Sequence, residues 1–227
     1  MVKYYDGTVF NCGAEAIVCT VNTVGVMGAG IALEFALRYP EMVSDYENKC
    51  KDEVLRVGKI DWYKTNDTTI VYFPTKWHFK YPSKIEWIRD ALADFVMSCD
   101  NMGVKSVAFP KLGTLNGGLS WSEVKPLMEK WLGMVDLDVY ICLDAVEAQG
   151  LEKKMLDVFN GIDLSVGVNG VRLNKKQIEA LSQAQPIDRF WKIKGLEGIG
   201  ITCYSKLFNY CKNRAEDNGG EQIQFIM

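Results

Sequence analysis

The sequence predicts an α/β fold in which a central mixed β-sheet carries helices on both faces, followed by a small, mainly helical C-terminal appendage. Within residues 1–150, apolar β-rich runs alternate with segments of helical periodicity, which is typical of a layered α/β domain. Two of the helical segments begin with the Ser-x-x-Glu pattern of a capping box. Residues 151–227 lack this alternation and carry a slight excess of basic residues. We therefore expect two domains, 1–150 and 151–227.

The elements of the first domain follow from local patterns. Short apolar runs predict strands, and turn residues mark their ends. The first helix stops before Pro40, because the residue preceding a proline disfavours helical geometry. We expect Pro74 to end a strand, and Ser83 and Ser120 to cap helices. In chain order we predict strands at 2–5 and 16–21, helices at 31–39 and 42–50, a hairpin of strands at 60–63 and 69–73, a helix at 83–101, a strand at 105–109, a helix at 120–132 and a strand at 135–143.

Two glycine-containing loops, residues 22–30 and 110–119, each follow a predicted strand. Because ligands of open α/β sheets bind beyond the carboxyl ends of the strands, we expect these loops to form opposite walls of one cleft. Glycines let a backbone approach a ligand closely, and the N–H groups at a helix start favour an anion, which indicates a phosphate-bearing ligand. The glycine spacing matches neither the dinucleotide fingerprint nor the P-loop. A tight turn that binds nothing is the alternative.

The composition excludes several classes of protein. Seven cysteines without a C-x-x-C pair indicate free thiols in a reducing compartment. The N-terminus shows no cleavable signal pattern, and the uncharged window at 16–33 contains Asn22 and three glycines, so we expect no membrane association. The only histidine, His78, cannot build a histidine-based triad or a multi-histidine metal site. We expect a cytoplasmic protein without a metal or other cofactor.

Four segments carry a family resemblance. They are the strand leading to Asn22, the loop Gly25-Val26-Met27-Gly28-Ala29-Gly30-Ile31-Ala32, the segment Phe73-Pro74-Thr75-Lys76, and Pro110-Lys111-Leu112-Gly113 running on to Gly117-Gly118-Leu119-Ser120-Trp121. In this order they resemble a macrodomain, the three-layer α/β fold that binds ADP-ribose, over roughly residues 1–145. The first loop and the Phe-Pro-Thr-Lys segment look most like the branch of the DNA ADP-ribosyl glycohydrolase antitoxins, which is similar to the human terminal ADP-ribose glycohydrolase.

The resemblance implies roles for individual residues. Asn22 is expected to contact the distal ribose, and Lys76 matches the lysine implicated in catalysis in that branch. Cleavage at the anomeric carbon builds positive charge on the ribose, and a nearby amine can act as a nucleophile or steer charge and protons where burial lowers its pKa. An exposed loop lysine is the alternative for Lys76. The residues implied to bind the ligand are Thr8, Val9, Gly25, Val26, Met27, Gly28, Gly30, Ile31, Gly113, Thr114, Leu115, Asn116 and Gly117.

The chain also departs from the family pattern. The human relative carries an aspartate at the position that matches Gly117, so the resemblance implies no Lys/Asp pair. Many macrodomains have an acidic residue near the first strand that binds adenine, where this chain has Thr8, with Asp6 two residues earlier. Ala29 stands where the antitoxins commonly have lysine.

His78 and Lys80 lie in a mixed aromatic and basic loop, residues 77–81. Bases could stack on such a loop while lysines meet phosphates, so both residues are candidate DNA contacts. In the alternative, the aromatic side chains pack the loop onto its own domain.

The tail contains three recognisable patterns. An Asn-Gly pair flanked by apolar residues predicts a hairpin at 165–173, and a helix is expected at 174–185. Residues 196–207 resemble one helix-hairpin-helix unit, in which a Gly-x-Gly turn presents amides to a DNA phosphate. A small helical appendage packed on the macrodomain is the alternative. The polar residues 215–222 are expected to be disordered. The residues expected to contact DNA in the tail are Gly198, Gly200 and Lys206.

The resemblance implies a hydrolase that removes ADP-ribose from a macromolecule, most specifically from DNA bases, and so reverses the action of a partner ADP-ribosyltransferase toxin. The ligand is then the ADP-ribose moiety, and the substrate is ADP-ribosylated DNA. Two other functions use the same cleft. One is a phosphatase acting on ADP-ribose 1″-phosphate, and the other is a non-catalytic ADP-ribose-binding module, which does not need Lys76.

Overall fold

The computed structural model describes residues 1–221 and divides the chain into two compact units, Met1–Ala145 and Val146–Met227. Strands and helices alternate through the first unit. In chain order they are β1 (Val2–Tyr5), β2 (Ala16–Asn22), α1 (Gly30–Arg38), α2 (Met42–Lys51), β3 (Asp61–Lys64), β4 (Thr69–Lys76), α3 (Ile85–Ser98), β5 (Ser106–Phe109), α4 (Trp121–Leu132) and β6 (Asp138–Cys142).

The six strands form one sheet in the order β1-β6-β5-β2-β4-β3. The edge strand β3 pairs antiparallel with β4, and every other neighbouring pair is parallel. Parallel pairs need crossover helices, which cover both faces of the sheet. The predicted α/β class with a mixed central sheet is therefore confirmed.

Strand β2 separates the core into two apolar layers, because successive side chains of a strand point to opposite faces. Val18 packs into a cluster that contains Phe95 of α3 and Met128 of α4. Its neighbour Cys19 packs into a second cluster that contains Phe35 of α1. The sheet is thus the middle of three layers, with α3 and α4 on one face and α1 on the other.

The prediction that Pro74 ends its strand is wrong, because β4 continues through it to Lys76. Proline lacks an N–H, so it enters a sheet at an edge or at an irregularity of the ladder. Pro74 pairs with Val21 at the point where the register of β2 and β4 shifts. The shift places Asn22 opposite Lys76 rather than opposite Thr75.

The two predicted serine caps have different outcomes. Ser120 caps α4 as expected, and its Oγ accepts a hydrogen bond of 3.3 Å from the backbone N–H of Ser122. The prediction for Ser83 is wrong: α3 begins at Ile85 with Lys84 as its N-cap residue, and no side chain caps it. Ser83 is buried instead, and its backbone N–H donates to the carbonyl of Gly117 at 2.8 Å.

The second unit is mainly helical over its described residues. It contains α5 (Gly150–Asn160), α6 (Lys175–Ala184), a short 3₁₀ helix (Phe190–Gly195) and α7 (Ile201–Glu221). Arg189 and Glu152 form a largely buried ion pair, and the backbone N–H of Phe190 donates to the same carboxylate at 2.9 Å. This carboxylate joins α5 to the 3₁₀ helix.

Two predictions for the tail are corrected. The hairpin at 165–173 is reduced to one bridge between Val168 and Val171. Val168 and Val171 are buried, but neighbouring Val166 is 84% exposed, so the apolar burial does not extend to longer strands. The segment expected to be disordered from Ala215 is helical up to Glu221, and Gln222 lies outside the described residues. No helix in residues 1–221 is long and apolar enough to cross a membrane.

Candidate functional site

The two glycine loops meet at one edge of the sheet. They follow β2 and β5, which are parallel neighbours, so both leave at the carboxyl ends of the strands. A Cβ atom placed on Gly30 would lie 2.5 Å from Nδ2 of Asn116. The start of α1 is therefore in close contact with the loop after β5, and the two loops border one site.

The buried side chain of Asn22 forms hydrogen bonds with the backbone of the first loop. Asn22 is 6% exposed. Its Oδ1 accepts from the backbone N–H of Val24 at 3.0 Å, and its Nδ2 donates to the carbonyl of Val26 at 2.6 Å. The hydroxyl of Tyr46, on α2, donates to the backbone carbonyl of Asn22 at 2.8 Å. The arrangement shows Asn22 as the residue that fixes the shape of the loop.

Replacing Asn22 with Ala is expected to loosen this loop. The change removes the partner of the Val24 amide and of the Val26 carbonyl in two part-buried hydrogen bonds, and each lost hydrogen bond costs about 0.5–1.5 kcal/mol. Urea unfolding measures this loss, and hydrogen exchange should accelerate at Val24. Asn66→Ala, at an exposed turn, is the matched control. Unchanged exchange at Val24 would show that the loop is held by other contacts.

Lys76 is the last residue of β4 and is half-buried, so the alternative of an exposed loop lysine is wrong. Its Nζ lies 3.4 Å from the carbonyl oxygen of Phe79, at the long end of hydrogen-bond range. Burial lowers the pKa of its amine, and in the described part of the chain no carboxylate pairs with it. An amine without a counterion in a partly dry site is more easily neutral than a surface lysine.

Ser83 and two glycines fit tightly at the base of the second loop. A Cβ atom on Gly117 would lie 2.6 Å from Oγ of Ser83, and one on Gly113 would lie 2.9 Å from Cδ1 of Leu119. The Ser83 Oγ is buried and has no hydrogen-bond partner among the described residues. Any side chain at position 117 must therefore displace the side chain of Ser83.

Two amides of the second loop form hydrogen bonds within the loop, whereas the residues at its tip are exposed. The amides of Gly117 and Gly118 donate to the carbonyl of Thr114 at 2.6 and 3.3 Å, and so close the loop on itself. The side chain of Leu115 is 91% exposed, and Asn116 is also exposed. The amides at 117 and 118 thus have acceptors inside the protein, and a ligand would meet the tip of the loop around Leu115.

The remaining predicted ligand residues belong to the loop after β1 and to the first glycine loop with the start of α1. At the loop after β1, the backbone N–H and hydroxyl of Thr8 both donate to Oδ1 of Asn11, at 2.7 and 3.0 Å, and the side chain of Val9 is buried. Of the others, Met27 is buried, Gly25, Gly28 and Ile31 are half-buried, and Val26 is exposed.

The loop 77–81 continues directly from Lys76. The backbone carbonyl of Trp77 accepts from the hydroxyl of Thr23 at 2.7 Å, which ties this loop to the first glycine loop. His78 is half-buried, and its Nδ1 accepts from the backbone N–H of Lys80 at 3.1 Å. Lys80 is exposed.

Sequence reasoning missed Tyr46, Thr23 and Ser83, which hold the loops of the site in place. Each acts through a partner distant in sequence, and no local spacing marks such a contact. The tyrosine does sit on the apolar side of an amphipathic helix, and a hydroxyl there needs an acceptor. That is the only signal that could have found one of them.

In the second unit, the Gly-x-Gly turn directly precedes α7. Gly198 and Gly200 are exposed, and Gly198 has φ +76°, a conformation that favours glycine. The carbonyl of Gly198 accepts from Nε2 of Gln177 on α6 at 2.9 Å. Lys206 is exposed one and a half turns into α7. In the chain up to residue 221, no cluster of histidine, cysteine and acidic residues could hold a metal ion.

Fold and site together define a three-layer α/β domain whose ligand site lies between glycine loops at the carboxyl edge of the sheet. The chain belongs to the macrodomain family: the family model described as Macro domain matches residues 18–128. The solved macrodomain of Mycobacterium tuberculosis DarG is 39% identical to this chain, with a TM-score of 0.60. The match covers 63% of this chain and 97% of the solved one.

Longer relatives are also similar to this chain. A DNA ADP-ribosyl glycohydrolase of Mycobacterium tuberculosis is 40% identical over 146 residues, which are 62% of this chain and 42% of the relative. A DNA ADP-ribosyl transferase-DNA ADP-ribosyl glycohydrolase fusion protein of Thermosipho africanus is 33% identical over 172 residues, 67% of this chain and 43% of the relative.

One solved structure of this kind contains a ligand. The structure of Thermosipho africanus DarTG in complex with ADP-ribose is 34% identical, with a TM-score of 0.61, over 63% of this chain and 41% of that one. This chain spans less than half the length of the two curated relatives described above.

Proposed function

We propose that this protein is an ADP-ribosyl glycohydrolase that removes ADP-ribose from DNA bases. The observation that carries the proposal is the pairing of Asn22 with Lys76 across the register shift of β2 and β4, beside the contact between the glycine loops. A partly desolvated amine with a lowered pKa there suits cleavage better than simple binding. The names of the relatives, DNA ADP-ribosyl glycohydrolase, and the ADP-ribose complex of a similar chain support the same reaction and ligand.

The reaction we propose is hydrolysis of an N-glycosidic bond. The bond between the anomeric carbon of the distal ribose and the base breaks, and water supplies a hydroxyl to that carbon and a proton to the base. Positive charge builds on the ribose as the bond lengthens. The Lys76 amine acts at the anomeric carbon. Asn22 holds the loop that carries the ribose, and the tips of the glycine loops hold the diphosphate.

One experiment separates this reaction from its two alternatives. The wild-type protein is incubated with ADP-ribosylated DNA, ADP-ribosylated protein and ADP-ribose 1″-phosphate, and the released products are followed. We expect release of ADP-ribose from DNA. Release of phosphate alone would identify a phosphatase, and binding of ADP-ribose without any release would identify a binding module.

We also propose that residues 1–150 carry the reaction and that residues 151–227 bind DNA through the turn at Gly198 and Gly200.

Lys206→Met is expected to reduce the slope of log affinity against log salt by about 1, because one phosphate contact is lost. Binding of the full chain to unmodified duplex DNA at several salt concentrations measures this slope. Lys130→Met, at an exposed lysine of α4, is the control, and an unchanged slope in Lys206→Met would remove the tail from DNA binding.

The same relatives support a proposal for the biological setting. In the Thermosipho africanus relative the glycohydrolase is fused to a DNA ADP-ribosyl transferase. We propose that this protein reverses the modification made by such a transferase, as the antitoxin to its toxin. All seven cysteines are free thiols, which fits a reducing cytoplasm.

A further inference from the structure

Three large rings stand exposed beside Lys76. Trp77, Phe79 and Tyr81 are 56%, 45% and 54% exposed. Their side chains therefore do not pack the loop onto its own domain, and that alternative is wrong. A group of exposed aromatic side chains indicates a surface that binds a partner or ligand.

The rings form an ordered surface. Trp77 and Tyr81 stack nearly parallel, with 5.9 Å between ring centroids and 11° between planes. His78 stacks on Phe79 at 4.3 Å. The backbone N–H of Lys80 donates to Nδ1 of His78, and this hydrogen bond supports the turn that presents the rings. Trp77 and Tyr81 are each about half exposed, so part of each ring is open to a flat ligand.

The surface is also positively charged. Residues 74–85 contain three lysines and no acidic residue, although the chain as a whole has a net charge of −3. Lys80 and Lys84 are both exposed, and Lys80 Nζ lies 5.9 Å from the centroid of the Phe79 ring. Flat rings flanked by lysines match an unstacked base on an anionic backbone. A protein surface would need acidic residues to match the lysines and apolar residues to match the rings.

We propose that Trp77 and Tyr81 form a stacking platform for a base of the acceptor strand next to the modified nucleotide, with Lys80 and Lys84 at the neighbouring phosphates. The proposal rests on the proposed function and names the part of the substrate beyond ADP-ribose that the site binds. Stacking requires a base that is not covered by its neighbours, so the platform favours an unpaired stretch of strand. It thereby determines which acceptor reaches Lys76.

The test measures binding and turnover with the full chain. Trp77→Ala is expected to weaken binding of an unmodified single-stranded oligonucleotide by roughly 10-fold, as loss of one base-stacking ring does, and to lower kcat/KM for the ADP-ribosylated oligonucleotide similarly. Affinity for free ADP-ribose should change less than two-fold. Trp77→Phe keeps a ring and should retain most of the strand affinity. Tyr4→Ala, at a tyrosine of β1 that is 43% exposed, is the matched control.

The outcomes separate the platform from the proposed function. Loss of strand affinity in Trp77→Ala but not in Tyr4→Ala supports the platform, even if no ADP-ribose is released by any variant. Unchanged strand affinity in Trp77→Ala overturns it. It is also overturned if both variants lose affinity equally, or if Trp77→Ala abolishes binding only to an ADP-ribosyltransferase protein, which would make the surface a protein interface.

Discussion

Replacing Lys76 with Met is expected to slow release of ADP-ribose from modified DNA by about 10²–10⁴-fold, the range of a general acid–base group. The apolar part of the side chain is kept, so the fold and the affinity for ADP-ribose should change little. Because burial favours the neutral amine, the wild-type rate should rise with pH and level off below the ordinary lysine pKa of 10.5. Single-turnover assays across pH measure both effects.

The control for Lys76 is Lys64→Met, an exposed lysine at the end of β3, on a strand beside the one that carries Lys76. It should keep the wild-type rate and its pH profile. A Lys76→Met variant as active as the wild type would show that the amine takes no part in bond cleavage. A variant with a reduced rate but an unaltered pH dependence would assign the titration to another group.

The second large effect is expected for Gly113→Ala, which should lower the free energy of unfolding by about 2–5 kcal/mol. Gly113 has φ +64°, which costs an alanine about 1–2 kcal/mol. Its Cβ would also lie 2.9 Å from Leu119 and 3.1 Å from Ile88, and overpacking a core typically costs about 1–3 kcal/mol more. Urea unfolding monitored by circular dichroism gives the free energy.

Comparison with Gly103→Ala separates the packing cost of Gly113→Ala from its backbone cost. Gly103 has φ +67°, and a Cβ there has no atom within 4 Å. Only the backbone cost of about 1–2 kcal/mol should appear. Equal losses in the two variants would mean that the loop relaxes without strain. In that case, the close fit around Ser83 does not fix the second wall of the site.

The sheet and the positions of both glycine loops could be predicted because their signals are local. Apolar runs ending in glycine-rich segments show where strands stop, and parallel order brings those ends to one edge. The aromatic and basic composition of residues 77–81 is also visible in the sequence, but the exposure of the rings is known only from the structure. What a local pattern cannot supply is the partner of a buried group, as Ser83 shows: its Ser-x-x-Glu spacing predicts a cap, yet its contacts are with Gly117.

Pro74 is a second residue whose position in the structure a local sequence pattern does not predict. A proline normally interrupts a strand, and the sequence alone does not reveal that β2 shifts its register at the same level. The identity of Asn22 and Lys76 as partners across two strands depends on that shift. The family resemblance selected both residues, but only the structure brings them together.

That single step in the ladder has a consequence for how the reaction could be gained or lost. In a regular ladder Asn22 would stand opposite Thr75, and because side chains alternate between faces, a slip by one residue would turn Lys76 away and bring a hydroxyl into its place. A β4 strand in regular register at this level would then keep the fold and the loops of the site but place no amine opposite Asn22. The extra residue of β4 between Pro74 and Lys76 is therefore what brings the amine to this position.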